Sequence, residues 1–181
     1  MEAWLHARAI PTLTEGMIAV SFAGAPSTLT LVTLVIIFVL VLRHRYADAV
    51  AWATVVLGGN LLNICLKHLV QRGRPVFEDP TLSLPTYSFP SGHAMAATVF
   101  YGLLAVYATN HAGEQSSRRA AIAIVFAAVV ITLVCFSRVY LGLHFVSDVV
   151  AGVAEGIAWS AGSLALLQHV RTRRKLSRDR V

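Results

Sequence analysis

Residues 120–137 read AAIAIVFAAVVITLVCFS, eighteen positions without one charged side chain. Wound as a helix at about 1.5 Å per residue, such a run nearly crosses the roughly 30 Å hydrocarbon layer of a bilayer. It is too long for a barrel strand and shows no alternation of apolar and polar residues, so a strand barrel is excluded. Four further runs share its character: 25–42, 49–66, 94–110 and 149–168, the last interrupted only by Glu155. Five spans predict an all-α fold, a polytopic transmembrane helix bundle. No repeat or low-complexity segment divides the chain, which predicts one membrane-embedded domain over residues 1–181.

Composition agrees. Of 181 residues, 56% are hydrophobic and 13% charged, more apolar surface than one small soluble core buries. The net charge of +6 does not signal nucleic acid, because the basic residues sit at segment ends instead of forming a stripe with interleaved aromatics. Cys65 and Cys135 fall inside apolar runs without metal-ligand spacing and are expected to be buried thiols.

Residues 1–25 differ from the rest. Trp4, Leu5, Ile10, Leu13, Met17 and Ile18 recur at near-helical spacing among Glu2, Arg8 and Glu15, the pattern of an amphipathic helix at the membrane interface. Ala23-Gly24-Ala25 has the small residues of a signal-peptidase site. Thr14 and Glu15 interrupt the apolar region and Pro26 follows, so cleavage is not expected.

Successive spans alternate in direction, which fixes the segment ends that share a face. One face receives Arg43, Arg45, Arg118, Arg119, Arg171, Arg173, Arg174, Lys175, Arg178 and Arg180, ten of the fifteen basic residues. The positive-inside rule makes it cytoplasmic, with 171–181 a basic tail. The other face then looks outward from a bacterial-type plasma membrane, toward the periplasm. It carries Lys67, Arg72, Arg74 and Arg138, which either snorkel to lipid headgroups or meet an anionic ligand.

Three clusters reach that outward face. In Lys67-His-Leu-Val-Gln-Arg-Gly-Arg74-Pro75, Lys67 and Arg74 are seven apart and share a face if the helix persists that far. Arginine offers phosphate a bidentate fork and lysine a compact charge. Pro90-Ser91-Gly92-His93, within YSFPSGHAMAA, reads as a turn entering a helix whose free N–H groups hold an anion, or simply as a cap. Gly92 lets an oxyanion approach the backbone, and His93 is placed to give a proton to a leaving group. The third cluster is Ser137-Arg138 and, after five intervening residues, His144, with Asp148 four beyond it. A helix starting near His144 would turn Asp148 toward the imidazole and leave the other nitrogen free to attack. In the alternative, Ser147 or Asp148 caps the helix and His144 lies in the loop.

The order KHLVQRGRP, PSGH, SRVYLGLHFVSD resembles the three-part signature of the type 2 phosphatidic acid phosphatase (PAP2) superfamily, with bacterial lipid phosphatases and vanadium haloperoxidases among its members. All three parts match from Lys67 to Asp148. Integral-membrane relatives commonly have six spans, so residues 1–25 are left as an amphipathic interfacial helix or a sixth span. The resemblance implies a double displacement that needs no metal or other cofactor. His144, oriented by Asp148, forms a phosphohistidine; His93 protonates the departing oxygen; Lys67, Arg74, Arg138, Ser91 and the Gly92 amide hold the nonbridging oxygens. Arg72, Tyr87 and Glu155 stand as accessory candidates. Arg72 is read as a headgroup contact, Tyr87 as lining the entrance, and Glu155 as a functional acid or a hydrogen-bond partner of Asn60, Asn63 or a serine.

The expected function is that of a phosphatase for membrane lipid phosphates. Undecaprenyl diphosphate is the first substrate expected, with phosphatidylglycerophosphate, phosphatidate and lipid A phosphates as rivals. A lipid phosphotransferase and a noncatalytic headgroup-binding protein are the other classes. The expected partners are a lipid phosphate and the bilayer, without nucleic acid. The sequence is silent on oligomeric state.

Overall fold

The structure, a computed structural model, describes residues 10–75, 86–110 and 116–178. Among them every regular element is helical: α1 (Pro11–Ala23), α2 (Pro26–Leu42), α3 (Tyr46–Val70), α4 (Gly92–Asn110), α5 (Ser116–Tyr140) and α6 (Val146–Arg178). Pro11 and Pro26 open their helices where the missing N–H has no partner to lose. The helices α3, α4, α5 and α6 are each long and apolar enough to cross a membrane; α1 and α2 reach that standard only as a pair bent by 41°. The expected self-contained span over 25–42 is thus a 17-residue helix joined to a preceding one. The first nine residues of the expected interfacial helix lie outside the described residues. The described remainder is a regular helix with Ile10, Leu13, Ile18 and Phe22 exposed. At the other end α6 continues as helix to Arg178, so the expected tail begins within the last span's own helix; residues 179–181 lie outside the description.

Helix α4 is the centre of the bundle, with 56% of its span window buried against 17% to 33% for the windows of α3, α5 and α6. Met95, Ala96, Val99, Phe100 and Leu103 pack there against Trp52, Val55 and Val56 of α3 and Leu29 and Leu40 of α2. Small residues set the spacing. A Cβ on Gly152 would stand 2.5 Å from the Ser91 carbonyl oxygen, and one on Gly156 2.8 Å from Thr98 Cβ, so α6 approaches α4 only because both are glycine. A Cβ on Gly162, by contrast, would meet nothing within 4 Å, so no neighbouring helix requires glycine there.

Helix α3 carries one wide turn, a π-helical segment at Ala53–Leu57. The Trp159 indole N–H donates to the carbonyls of Thr54 and Val55 there, at 3.2 and 3.0 Å, and Gly58 and Gly59 leave room for the ring. A tryptophan of α6 thereby occupies the wide turn that regular i to i−4 bonding does not close. Three hydroxyls inside the spans are satisfied locally: Thr33 donates to Leu29, Thr98 to Ala94 and Ser137 to Val134. Cys135 is half-buried, whereas Cys65 is exposed on the outer face of α3, against the expectation of a buried thiol.

Three helix ends stop on a left-handed residue. Gly142 (φ 68°) ends α5 in a Schellman motif, with Leu143 N–H on the Arg138 carbonyl and Gly142 N–H on that of Val139. His44 (φ 55°) ends α2 the same way, through Arg45 to Leu40 and His44 to Val41. Gln71 (φ 51°) ends α3 with its N–H on the Lys67 carbonyl.

Candidate active site

The C-terminal ends of α3 and α5 meet the N-terminal ends of α4 and α6 at one end of the bundle. There a cavity of about 720 Å³ is lined by Lys67, Arg74, Gly92, His93, Arg138 and His144, and it continues between α2 and α3 past Asn63, Asn60 and Thr30 to Leu31 and Leu34. The three sequence clusters therefore open into one space, and both histidines face it.

His144 occupies the turn between α5 and α6. The Schellman turn fixes its distance from Arg138, and Asp148, in the first turn of α6, reaches back to it. Asp148 Oδ2 accepts the Phe145 N–H at 2.9 Å, the reciprocal half of a capping box, and lies 3.5 Å from His144 Nδ1. The two readings of Asp148 left open by spacing are both realised: it caps the helix and faces the imidazole, although His144 is not helical. His144 and Asp148 are buried. Nε2 of His144 points the other way, with Arg74 Nη1 at 3.4 Å. Burial, helped by Arg74, Arg138 and Lys67 and opposed by Asp148, lowers the imidazole from 6.5 to about 4, so it is neutral at physiological pH.

The arginines depart from the sequence reading. Because α3 stops at Val70, Lys67 and Arg74 do not share a helix face, and their relation comes from the extended segment 72–74 folding back. Arg74 spends its donors on protein carbonyls: Nε to Thr86 O at 2.7 Å and Nη1 to Leu143 O at 2.7 Å. Its Nη2 donates to Thr86 Oγ1 at 2.9 Å. It ties the segment entering PSGH to the turn that carries His144. Burial lowers its guanidinium from the ordinary value, with Asp148 opposing.

Arg72 was read as a headgroup contact, on helical geometry that does not exist. Its Nη1 donates to Asp148 Oδ1 and to Ser147 Oγ, each at 2.8 Å, and its guanidinium stacks 4.3 Å from the Phe145 ring. Asp148 is thus shared by Arg72, the Phe145 amide and His144.

Lys67 Nζ donates to the Tyr87 carbonyl at 2.8 Å, so Tyr87 contributes its backbone, while its ring packs edge-on to His68. Ser88, fully buried, donates through its hydroxyl to Gly73 O at 2.8 Å and through its N–H to Arg72 O at 2.9 Å. These bonds join the two segments flanking residues 76–85, which lie outside the description. Glu155 accepts the Asn63 amide N–H at 2.8 Å, one of the partners expected for it. Asn63 Oδ1 stands 3.1 Å from where a Cβ on Gly92 would be, so only glycine fits there without displacing it.

Ser91 Oγ and the Nε and Nη2 of Arg138 are buried without a hydrogen-bond partner in the protein. Buried donors of this kind are costly unless a ligand takes them. Sequence reasoning did not find Ser21, Thr86 or Ser88, and none of the three carried a signal.

The chain is similar to known proteins over most of its length. The PAP2 superfamily model matches residues 48–172. Phosphatidylglycerophosphatase B of Bacillus subtilis is 35% identical over 147 residues, 81% of this chain and 71% of that protein. Human sphingosine-1-phosphate phosphatase 2 is 33% identical over 104 residues, 58% of this chain and only 25% of the relative. A crystal structure of a transmembrane PAP2-type phosphatidylglycerolphosphate phosphatase from Bacillus subtilis superposes with a TM-score of 0.82 at 30% identity, over 93% of this chain and 83% of that one. Aquifex aeolicus LpxE shares the fold, with a TM-score of 0.62 at 23% identity over 91% and 92%. With the signature, the helical scaffold and the family match in agreement, this chain belongs to the PAP2 superfamily and is a membrane-embedded phosphatase.

Proposed function

We propose that the protein removes phosphate from membrane lipid phosphates by a metal-independent double displacement on His144. The observation that carries this reading is the placement of His144, with Nδ1 toward Asp148 and Nε2 toward the cavity shared with His93, Lys67 and Arg138. In that tautomer Nε2 attacks phosphorus while the bond to the lipid oxygen breaks. His93 gives that oxygen its proton. Water, deprotonated by His93, then releases inorganic phosphate from Nε2. Arg138, Lys67, Ser91 and the Gly92 amide hold the nonbridging oxygens, and a loose phosphoryl-transfer transition state asks chiefly for such positioned charge. Asp148, the carboxylate beside the nucleophile, is committed to Arg72, Phe145 and His144, which supports catalysis without a metal.

The substrate is a lipid. The cavity leaves the cationic end between α2 and α3, where Leu31, Leu34 and Ile64 are exposed, and this gives an acyl or prenyl chain a path into the bilayer. The likeness to the Bacillus phosphatidylglycerophosphatase favours phosphatidylglycerophosphate as the substrate, and undecaprenyl diphosphate, the first expectation from the sequence, is the rival that the panel below tests. With Arg43, Arg45, Arg118, Arg119, Arg171 and Arg173 at the opposite end, the positive-inside rule supports a site that faces the exterior and a cytoplasmic C-terminal end of α6. The deciding experiment is phosphate release by purified protein from a panel of lipid mono- and diphosphates, with and without chelator, alongside His144→Ala. Chelator-resistant turnover abolished by the substitution supports the reading. Loss on chelation, or turnover retained in the variant, overturns it.

A further inference from the structure

The guanidinium of Arg138 is almost fully buried, and its five N–H groups divide unequally. Nη1 donates to the hydroxyl of Ser21, itself buried, on α1. Nε and Nη2 have no partner in the protein, and Arg138 lines the cavity that holds both histidines. Nε and Nη2 form the side-on fork of an arginine, the edge that presents two parallel N–H groups to the oxygens of a phosphate. A bond to Nη1 on the far side is one that leaves this edge free. We infer that Ser21 is a positioning residue of the phosphate site: by holding Nη1 it aims the Nε/Nη2 edge of Arg138 at the nonbridging oxygens. The helix α1 is thereby part of the site.

Other contacts fix α1 on α5 around Arg138. The Tyr140 hydroxyl lies 3.3 Å from both the Ile10 N–H and Thr14 Oγ1. At the far end of α1, Gly24 packs so closely on Val134 that a Cβ there would collide with it. Arg138 lies between these two anchors. Ser21 lies outside residues 48–172, the part matched by the family model, so this chain supplies from its N-terminal helix a contact that the signature motifs do not contain. The inference rests on the proposed phosphate site but is tested separately from the choice of lipid.

The test is the affinity of detergent-purified full-length protein for inorganic phosphate, by equilibrium dialysis with radiolabelled phosphate, in Ser21→Ala, Ser21→Thr and Ser21→Val. Thr keeps the hydroxyl and Val keeps the shape of Thr without it, so that pair isolates the acceptor from packing. Thermal unfolding midpoints report whether each variant is folded. The expected result is phosphate affinity weakened about 5- to 20-fold in the Ala variant, and at least fivefold weaker in Val than in Thr at matched unfolding midpoints. An Ala variant within twofold of the parent, or Thr and Val variants of equal affinity, overturns the inference. Lipid hydrolysis by the unaltered protein is measured beside it: its absence overturns the proposed function, while the binding comparison still decides the role of Ser21.

Discussion

The amide N–H of Ser91 donates to the carbonyl oxygen of Asp148 over 2.9 Å, so the turn that begins α4 is bonded to the first turn of α6. Between those backbones stands Gly152, whose absent side chain makes the approach possible. The bond links the turn proposed to bind phosphate to the residue proposed to orient the nucleophile, and a change in the separation of α4 and α6 acts on both.

Gly152→Ala tests that link. Its Cβ would lie 2.5 Å from the Ser91 carbonyl oxygen, which is backbone and cannot rotate away, whereas Gly156→Ala meets the Thr98 side chain one turn further from the site. Each overpacking change is expected to cost about 1–3 kcal/mol of stability. Gly152→Ala should in addition lose at least tenfold more kcat/KM than Gly156→Ala at matched unfolding midpoints, measured in detergent on a lipid phosphate.

The two histidines should separate by leaving group. His144→Ala is expected to abolish turnover with every substrate. His93→Ala should lose on the order of 10² to 10⁴ in rate on a lipid phosphate, whose alkoxide needs a proton, and much less on p-nitrophenyl phosphate. Equal losses on both substrates would remove His93 from the role of proton donor.

The acid behaviour of His144 has a fixed sign. Burial lowers the imidazole from 6.5 to about 4, so between those pH values the unfolded chain binds a proton that the native protein does not. Its contribution to stability is present above the unfolded value, falls as pH drops from 6.5 toward 4, and changes no further below. Nitrogen NMR of histidine-labelled protein in detergent should show the His144 ring neutral at pH 5.5. A midpoint near 6.5 would contradict the assignment.

Arg72→Gln should act through Asp148. With the 2.8 Å ion pair removed, the Asp148 charge bears more fully on His144 and raises the imidazole, so the acid limb of the kcat/KM profile moves to higher pH. A several-fold loss of activity near pH 4.5 and a smaller loss at pH 8 are expected. A uniform loss across the profile would show that Arg72 acts on substrate instead.

How far the sequence revealed this site depends on the kind of residue that ends each helix. The end of α5 falls on Gly142, the residue type that most readily takes the left-handed conformation, and the expected break between Arg138 and His144 is where the structure has it. The end of α3 was not readable, because Gln71 takes the left-handed conformation without being glycine; reasoning that continued the helix put Arg72 and Arg74 on faces that do not exist. The long apolar runs gave the helices because hydrocarbon permits little else. Ser21 and Ser88 were invisible for a different reason: a small hydroxyl gains its meaning only from the distant chain it meets.

The wide turn at Ala53–Leu57 governs more than the seat of Trp159. Each residue of a helix advances the azimuth by about 100°, so a single extra residue in one turn rotates everything that follows. Asn60, Asn63 and Lys67 all lie downstream of it. Deleting one residue there would swing the lysine about a quarter of a circle out of its place in the cavity lining, from a point some 15 Å away along the helix axis.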